Sequence, residues 1–430
     1  MRTALVVLLL FAVAVAVALL VGNNQGTITL FWPPHRVDLS LNLLLLLLLG
    51  MFVTLHLALR ALSALFALPQ QALRWRIQQR ERALFTALLD TLLHLIAGRF
   101  IRARKSALLA LAQEEVLARS TNTLVEGGRL KSMAHLLAAE SAHSLLDKEG
   151  RAMHFQQALQ VSGQRDAVEV REGVHLRAAR WAMDDRDATA TLKWLDEMPQ
   201  GASRRTVALR LRLKAARMAG QTANALETAR LLAKHRAFSS TVGASIVRGL
   251  TQELIAGTRD PAQLMTVWQE MDVKERADAD IAVFAVRHFL SLGGDAAVSR
   301  QWLLPVWETM VEDPSAMPQA QRIDIIESIE QGFTAPNAAP DTTWLHRIES
   351  AQFRHPGDAM LQYLAGIACK HLQLWGKAQQ LLNHSLPKLR GSRLERSVWM
   401  ALASLAEQRG DSAAATQCWR NAATVASSTP

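Results

Sequence analysis

Cysteine and tyrosine are almost missing from this chain of 430 residues, which has two cysteines and one tyrosine. Because Cys369 and Cys418 lie in unrelated segments, the sequence indicates neither a disulfide framework nor a pair of thiolate metal ligands. We expect both thiols to pack as small hydrophobic side chains. Polar and β-branched residues rarely alternate, so the sequence offers little material for a sheet.

Catalytic and nucleotide-binding motifs are missing as well. The sequence has no His-Glu-x-x-His, no Gly-x-x-x-x-Gly-Lys-Ser/Thr, no Gly-x-Ser-x-Gly and no Gly-x-Gly-x-x-Gly. Adjacent acids such as Glu114 and Glu115 would point about 100° apart on a helix, so they would not converge on a substrate. We therefore predict that the protein is not an enzyme and has no cofactor and no metal site.

Positive charge is concentrated in one region. Nine lysines and arginines and only two acids lie between Arg60 and Lys105, which supplies most of the net charge of +10. A basic cluster next to an apolar segment is attracted to anionic lipid headgroups. We therefore predict a membrane partner and no nucleic-acid partner.

Two long apolar runs precede this cluster. Residues 3–21 and 39–59 are each close to the length that a helix needs to cross a bilayer, and a polar turn, residues 22–38, separates them. We predict a two-pass transmembrane hairpin over residues 1–60. The positive charge after Arg60 predicts that both ends are cytoplasmic and that the turn is outside. A cleaved signal peptide is the alternative for the first run.

The turn has a pattern of its own. Residues 27–32 nearly alternate between polar and apolar side chains, Pro33 and Pro34 interrupt the run, and residues 36–40 alternate again. A small two-stranded hairpin and an irregular loop are both consistent with this pattern. In either case Trp32 would lie at headgroup level.

The remainder of the sequence indicates helices of 10–18 residues separated by short breaks, so we predict an all-α fold with a tetratricopeptide-like solenoid after the anchor. The repeat signature is clearest at the C-terminus. The small and large residues that form this signature are Trp399, Leu402, Ala403, Gly410, Ala415, Trp419 and Ala422. An imperfect repeat unit before them contains Gly366 and Ala378. Degenerate units are indicated at Gly98, Phe100, Ala103 and Ala107, at Asp187 and Ala188, and at Gly220 and Ala225. An unrelated helical bundle is the alternative.

These patterns divide the chain into five parts. Residues 1–60 form the anchor, 61–82 a basic juxtamembrane segment, 83–312 the N-terminal degenerate repeats, 313–340 a Pro-containing linker, and 341–430 the C-terminal repeats. The linker is expected to hold one short helix whose apolar face contains Ile323, Ile326 and Ile329. We expect the tryptophans between Trp181 and Trp419 to lie between helices in the core.

The turn carries a family resemblance. Residues Gly22, Gly26, Trp32, Pro33, Pro34, Arg36 and Asp38, followed by a leucine-rich helix, resemble the HemY proteins of the proteobacterial inner membrane. That family has two N-terminal transmembrane helices and cytoplasmic tetratricopeptide-like repeats, and it is associated with a late step of protohaem formation. The resemblance implies an inner-membrane scaffold that binds late haem-biosynthetic enzymes. The flavin-dependent protoporphyrinogen oxidase of the same name is not similar, because the dinucleotide fingerprint is missing.

Two other functions fit the same architecture. The chain could be an adaptor for proteins of envelope biogenesis or membrane quality control, since only the identity of the client distinguishes the two scaffolds. It could also be a haem or porphyrin carrier that uses its histidines, of which His135, His143 and His154 are the densest group. A break expected between residues 147 and 150 would separate His143 from His154, and isolated helix histidines are usually solvated or part of a core.

Overall fold

The computed structural model describes residues 13–14, 17, 26–119, 126–163, 167–336 and 338–428. These residues are mostly helical, with one small sheet. They belong to two compact units, Met1–Val174 and His175–Pro430. The all-α prediction is therefore confirmed at this level.

The turn forms a β-hairpin. Strands β1 (Thr27–Trp32) and β2 (His35–Ser40) pair antiparallel in the register Thr27–Ser40 to Trp32–His35, and Pro33 and Pro34 make the turn. The structure thus decides between the two alternatives in favour of a hairpin. Gly22, the first residue of the family motif, lies outside the described residues.

Helix α1 (Leu41–Ile96) follows the hairpin directly. At about 1.5 Å per residue its 56 residues extend over about 84 Å. Within the described part of the chain, one stretch, Leu41–Ser63, is long and apolar enough to cross a membrane, and none of it is buried. The predicted first spanning helix, residues 3–21, falls almost wholly outside the described residues, so the two-pass hairpin stays a prediction.

No helix boundary separates the apolar part of α1 from the basic part. The predicted juxtamembrane segment, residues 61–82, continues the same helix past Pro69. Alanine and leucine, which favour helix, lie on both sides of this proline. Leu84 is the first buried side chain among those that the structure describes on this helix, and it packs on the neighbouring helices.

Unit 1 continues with three helices, α2 (Phe100–Ala118), α3 (Gly127–Ser144) and α4 (Lys148–Val161). Each packs on the helix before it. Alanine fills most of the contacts, and Ala103, Ala107, Ala138, Ala139 and Ala158 are fully buried. Small side chains of this kind let helix axes approach closely. Helix α5 (Val168–Asp184) follows, and the boundary between the units falls within it.

Unit 2 is a succession of helices. Their bounds are α6 Ala188–Asp196, α7 Gln200–Ser203, α8 Thr206–Met218, α9 Thr222–Lys234, α10 Ser240–Ala256, α11 Pro261–Gln269, α12 Val273–Arg276, α13 Ala279–Ser291, α14 Ala296–Trp302, α15 Leu304–Glu312, α16 Gln319–Thr334, α17 Thr342–Arg354, α18 Ala359–His371, α19 Trp375–Leu389, α20 Arg393–Gln408 and α21 Ser412–Ser428. A 3₁₀ turn, Pro314–Ala316, precedes α16.

The sequence marks these helix ends locally. Aspartates cap many N-termini by accepting hydrogen bonds from backbone amides of the first turn, as Asp260, Asp295 and Asp358 do. At the other end, Gly220 and Gly410 adopt a φ of +68° and +76°, a left-handed conformation that stops the helix at little cost.

The main core lies in unit 2. Its buried residues run from Ile255 on α10 to Leu405 on α20 and include three tryptophans, Trp268, Trp307 and Trp344. Helix α16 is central to it, because it packs on α13, α18 and α20. Ile323, Ile326 and Ile329 are buried, which confirms the apolar face predicted for this helix.

Candidate functional site

Gly366, one of the predicted repeat positions of unit 2, lies where two helices approach closely. A Cβ on Gly366 of α18 would come within 2.8 Å of Leu382 Cγ on α19 and 3.4 Å of the Ala378 carbonyl. Ala378, Ala403, Ala415 and Leu402 are buried. The glycine and the alanines therefore permit the contact between neighbouring helices, as the repeat signature requires.

Trp419 is a correction to the expected core. It is 39% exposed, and its indole Nε1–H donates to Glu407 Oε1 at 2.7 Å. The physical reason is its place on α21, the last helix of the described residues, because no described helix packs over this side of it. Trp399 is half-buried and packs on the main core, and Ala422 is buried.

The family motif is grouped at the hairpin and the start of α1. The Gly26 carbonyl accepts from the Leu41 amide at 2.9 Å, which joins the base of the hairpin to the helix. Arg36 donates to Asp38 at 3.3 Å, and its guanidinium lies 5.4 Å from the Phe31 ring centre. Trp32 is 72% exposed.

The three clustered histidines do not converge. His135 Nδ1 and His154 Nδ1 are 3.2 Å apart, whereas His143 contacts Arg151 at 2.8 Å. Burial lowers the pKa of His135 to about 4 and also lowers that of His154, so both imidazoles are neutral at pH 7. The described residues contain no group of three or more potential metal ligands.

Neither cysteine is placed for nucleophilic chemistry. Cys369 is buried, as expected, and Cys418 is half-buried. Burial raises the pKa of both thiols, which keeps them protonated. The thiols therefore serve packing.

A row of charged side chains links successive helices of unit 2, and we call it the charged row. It joins α10, α13, α16 and α20 through Arg248, Asp278, Asp280, Arg287, Asp324, Glu327 and Arg393. At its first step, Arg248 donates to Asp278 at 2.8 Å and to Asp280 at 2.9 Å. Gln321 of α16 also donates to Asp280 at 2.8 Å.

The centre of the charged row is a cluster of two cations and two anions. Arg287 Nη2 lies 3.2 Å from Asp324 Oδ1 and 3.1 Å from Glu327 Oε2. Arg393 reaches the same Asp324 oxygen at 2.8 Å. All four side chains keep between a quarter and a half of their surface exposed. The cluster is therefore accessible to a charged group of a partner.

One turn further along α16 lies a polar triad of Tyr363, Glu330 and Lys370, in which Tyr363 is buried and the other two are half-buried. The only tyrosine, Tyr363, donates from its hydroxyl to Glu330 Oε2 at 2.6 Å. Desolvation raises the pKa of Glu330 and of Tyr363, and it lowers the pKa of Lys370. The triad fixes α18 against α16 beside the charged row.

The sequence alone did not identify the charged row. Its partners are 30 to 69 residues apart, so no local spacing brings them together. A signal was present on α16, where Asp324, Glu327 and Glu330 recur every third residue, about 100° around the helix from the isoleucines. Such a row of acids along one helix face needs cations from neighbouring helices or solvent.

Two open cavities are lined by residues that do not belong to the charged row. One, of about 490 Å³ in unit 1, is lined by Gly98, Arg99, Phe100, Ile101, Arg102 and Leu145. The other, of about 330 Å³ in unit 2, lies between α15 and α17 and includes Trp307, Glu308, His346 and Arg347. The first combines two cations with apolar side chains.

Comparison with known families identifies the N-terminal region. Residues 26–145, which comprise the hairpin, α1, α2 and α3, match the family described as HemY protein N-terminus. This region of the chain is therefore similar to the N-terminal domain of the HemY family. The HemY resemblance of the hairpin motif is thereby confirmed and extends through the first helices of unit 1. No curated protein matches the chain.

Solved helical proteins are similar at low scores. The P58(IPK) TPR domain is 14% identical, with 76% of this chain and 99% of that chain covered and a TM-score of 0.21. Naa15/Naa10 bound to HypK-THB is 12% identical, with 75% of this chain and 56% of that chain covered and a TM-score of 0.23. The APC/C hetero-tetramer Cut9-Hcn1 is 11% identical, with 84% of this chain and 85% of that chain covered and a TM-score of 0.20. TM-scores at this level support no inference about function.

Proposed function

We propose that this protein is a membrane-anchored tetratricopeptide scaffold of the HemY type that acts in a late step of protohaem formation. The observation that carries the proposal is the HemY match over residues 26–145. This segment joins an exposed hairpin, a membrane-length helix and the first helices of unit 1. The resemblance to HemY implies the bacterial inner membrane, two spanning helices and a cytoplasmic repeat region.

The continuity of α1 supports the anchor. Leu41–Ser63 has the length and composition of a spanning helix, and the same helix runs on to Ile96 within unit 1. Arg74 and Arg76 follow the apolar segment and favour its cytoplasmic end. Because the helix is uninterrupted, it would hold the helices that pack on its C-terminal part at a fixed distance from the bilayer.

The helix spacing of unit 2 supports the tetratricopeptide assignment. Helices α18 and α20 begin at Ala359 and Arg393, which are 34 residues apart, the length of the standard repeat. In each pair the following helix, α19 or α21, packs back on the first. Stacked pairs of this kind form extended surfaces that bind proteins rather than small substrates.

The charged row is the surface on which we place client binding. Its arginines and carboxylates are half-exposed, so a partner's charged groups can compete for them without unfolding a helix. Exposed ion pairs contribute only about 0–1 kcal/mol each to stability. Their arrangement therefore favours recognition over structural stabilisation, and late haem-biosynthetic enzymes are the proposed clients.

Co-purification of the full-length protein in mild detergent tests the proposal. Mass spectrometry should find ferrochelatase or a porphyrinogen-oxidising enzyme enriched over a control fragment of residues 1–70. The double variant Asp324→Asn, Glu327→Gln should lose these enzymes. A matched double variant at exposed acids outside the charged row, Glu270→Gln and Glu312→Gln, should retain them.

Other outcomes separate the parts of the proposal. Recovery of envelope-assembly factors in place of haem enzymes would retain the scaffold and overturn the haem role. Normal porphyrin and haem pools in a deletion strain would also contradict that role. Enrichment that survives the Asp324 and Glu327 changes would move client binding away from the charged row.

A porphyrin carrier is the second candidate, and the cavity of unit 1 favours it. Arg99 and Arg102 could pair with carboxylates, while Phe100, Ile101 and Leu145 offer apolar contacts. Titration of the protein with porphyrin should then shift the Soret band, and Arg99→Gln with Arg102→Gln should weaken the shift. An unchanged Soret band at saturating protein would exclude this function.

A further inference from the structure

The β-hairpin has two chemically different faces. Cross-strand partners in an antiparallel ladder project to the same side, and successive residues alternate sides. One face holds the pairs Ile28–Leu39, Leu30–Val37 and Trp32–His35, and the other holds Thr27–Ser40, Thr29–Asp38 and Phe31–Arg36. The first is apolar except for His35, and the second is polar except for Phe31.

The apolar face is exposed. Leu30, Val37 and Trp32 are 51%, 46% and 72% exposed. Two-stranded hairpins are marginal in water unless something covers their hydrophobic face. On the polar face, the Arg36 guanidinium lies against both the Phe31 ring and the Asp38 carboxylate, so the charged groups of this face already have partners. The apolar face is the one that requires a partner.

The junction with α1 shows what lies next to it. Ser40 ends β2 and also caps the helix, because its hydroxyl accepts from the Leu43 amide at 3.3 Å. Leu41 N–H donates to the Gly26 carbonyl at 2.9 Å. No linker therefore separates the hairpin from the apolar segment Leu41–Ser63. Whichever way the chain is oriented, the hairpin begins at the membrane boundary.

We propose that the hairpin Thr27–Ser40 lies along the bilayer surface, with Ile28, Leu30, Trp32, Val37 and Leu39 against lipid and Thr29, Arg36 and Asp38 facing water. Each strand of six residues is about 20 Å long, so a flat hairpin covers several headgroups. Tryptophan at the tip fits this depth, because an amphipathic indole favours the interface. The inference rests on the membrane placement of α1 in the proposed function, but not on any client.

The test uses the full-length protein with Cys369→Ala and Cys418→Ala, labelled with nitrobenzoxadiazole at one new cysteine and reconstituted into phosphatidylethanolamine–phosphatidylglycerol vesicles. The apolar-face variants are Leu30→Cys and Val37→Cys, and their matched controls on the same strands are Thr29→Cys and Asp38→Cys. Lipid with a nitroxide on its acyl chain should quench the apolar-face labels at least threefold more than the controls. Aqueous iodide should give the reverse order.

Two further positions calibrate the quenching. Leu47→Cys in the apolar segment should be quenched by the lipid nitroxide, and Ser291→Cys in unit 2 should be quenched only by iodide. If the lipid nitroxide does not quench the label at Leu47, the membrane anchor and the hairpin proposal are both wrong. Quenching at Leu47 with equal iodide access to both hairpin faces would overturn the hairpin proposal alone. Shielding of Leu30 and Val37 from both quenchers would also overturn it, because protein would then cover the face.

Discussion

The two units pack their helices together with different kinds of side chain. Helices α2, α3 and α4 of unit 1 meet through alanines such as Ala107, Ala139 and Ala158, which leave no room for a larger residue. Unit 2 packs aromatic rings, and Trp307 and Trp344 meet edge to face with ring centres 5.7 Å apart. Close helix contacts of this kind also occur in unit 2, as at Gly366 and Ala378, but unit 2 adds a large buried aromatic core that unit 1 does not have among its described residues.

This difference extends to polar groups. Unit 2 buries a complete arginine, Arg300, which is 1% exposed, and it exposes the charged row on neighbouring helices. Unit 1 leaves large apolar residues on its surface, including Leu89, Leu93 and Ile101. Unit 1 also buries a charged group, but a smaller one: Glu114 is 6% exposed and lies 3.5 Å from Lys131. The aromatic core of unit 2 accommodates a whole guanidinium, so the units differ in the size of the charged group that they bury.

The largest expected effect comes from breaking the Arg300 pair. Asp341 accepts from Arg300 Nη2 at 3.0 Å and from Nε at 3.2 Å, and the guanidinium also donates to the Gly332 carbonyl. Asp341→Asn keeps the helix cap on the Trp344 amide but leaves a buried cation without its counter-charge. We expect unit 2 to lose about 3–5 kcal/mol, measured by urea unfolding with hydrogen exchange on its peptides.

Asp260→Asn is the matched control for that experiment, because Asp260 caps α11 without contacting Arg300. We expect its effect to stay within about 0.5 kcal/mol, since asparagine is an equally good cap. Equal losses in the two variants would mean that capping, rather than the buried charge, determines the effect.

The second prediction tests the alanine interface of unit 1. Ala107→Leu would place a larger side chain where no surface is exposed, and we expect a loss of about 1–3 kcal/mol from overpacking. Ala112→Leu, on the exposed face of the same helix, should be nearly neutral. Hydrogen exchange on unit 1 peptides measures both. If Ala107→Leu is tolerated, the close approach of these helices is not required for stability.

The sequence predicted the local features of this fold well. A helix end at Gly410, the apolar face of α16 and the close contact at Gly366 all follow from residue type and spacing within about one turn or one repeat. The alternation of residues 27–32 and 36–40 was consistent with a hairpin or an irregular loop, and the strand pairing shows the hairpin.

Long-range features were beyond the reach of the sequence. The pairing of Arg393 with Asp324 joins residues 69 positions apart, and Arg300 reads in the sequence as an ordinary surface residue of α14. Trp419 resembled a core residue, since sequence spacing does not show that α21 has no covering neighbour within the described chain. Which helices become neighbours in space is decided by the accumulated packing of all the turns between them.

The third prediction uses the paired histidines of unit 1. Burial holds the pKa of His135 near 4, below the usual 6.5 of an unfolded histidine. Between these values the unfolded chain binds more protons, so stability is complete above pH 6.5 and falls as the pH drops toward 4. His135→Gln should flatten this loss in unit 1 peptides, as followed by hydrogen exchange. The same acid sensitivity in the variant would assign the effect to His154 or to the neighbouring pair of Arg104 and Asp147.

The smallest expected effect on stability comes from the charged row. A small effect is informative, because it distinguishes a binding surface from a structural contact. Arg393 is half-exposed, so Arg393→Gln should change the stability of unit 2 by no more than about 1 kcal/mol, less at high salt. If the charged row binds clients, the same variant should reduce co-purification of the partner enzyme severalfold. Arg396→Gln, an exposed arginine one turn along α20, serves as the control. A large stability loss with intact client binding would mean that the charged row is structural. The proposal that unit 2 recognises clients through the charged row would then be wrong.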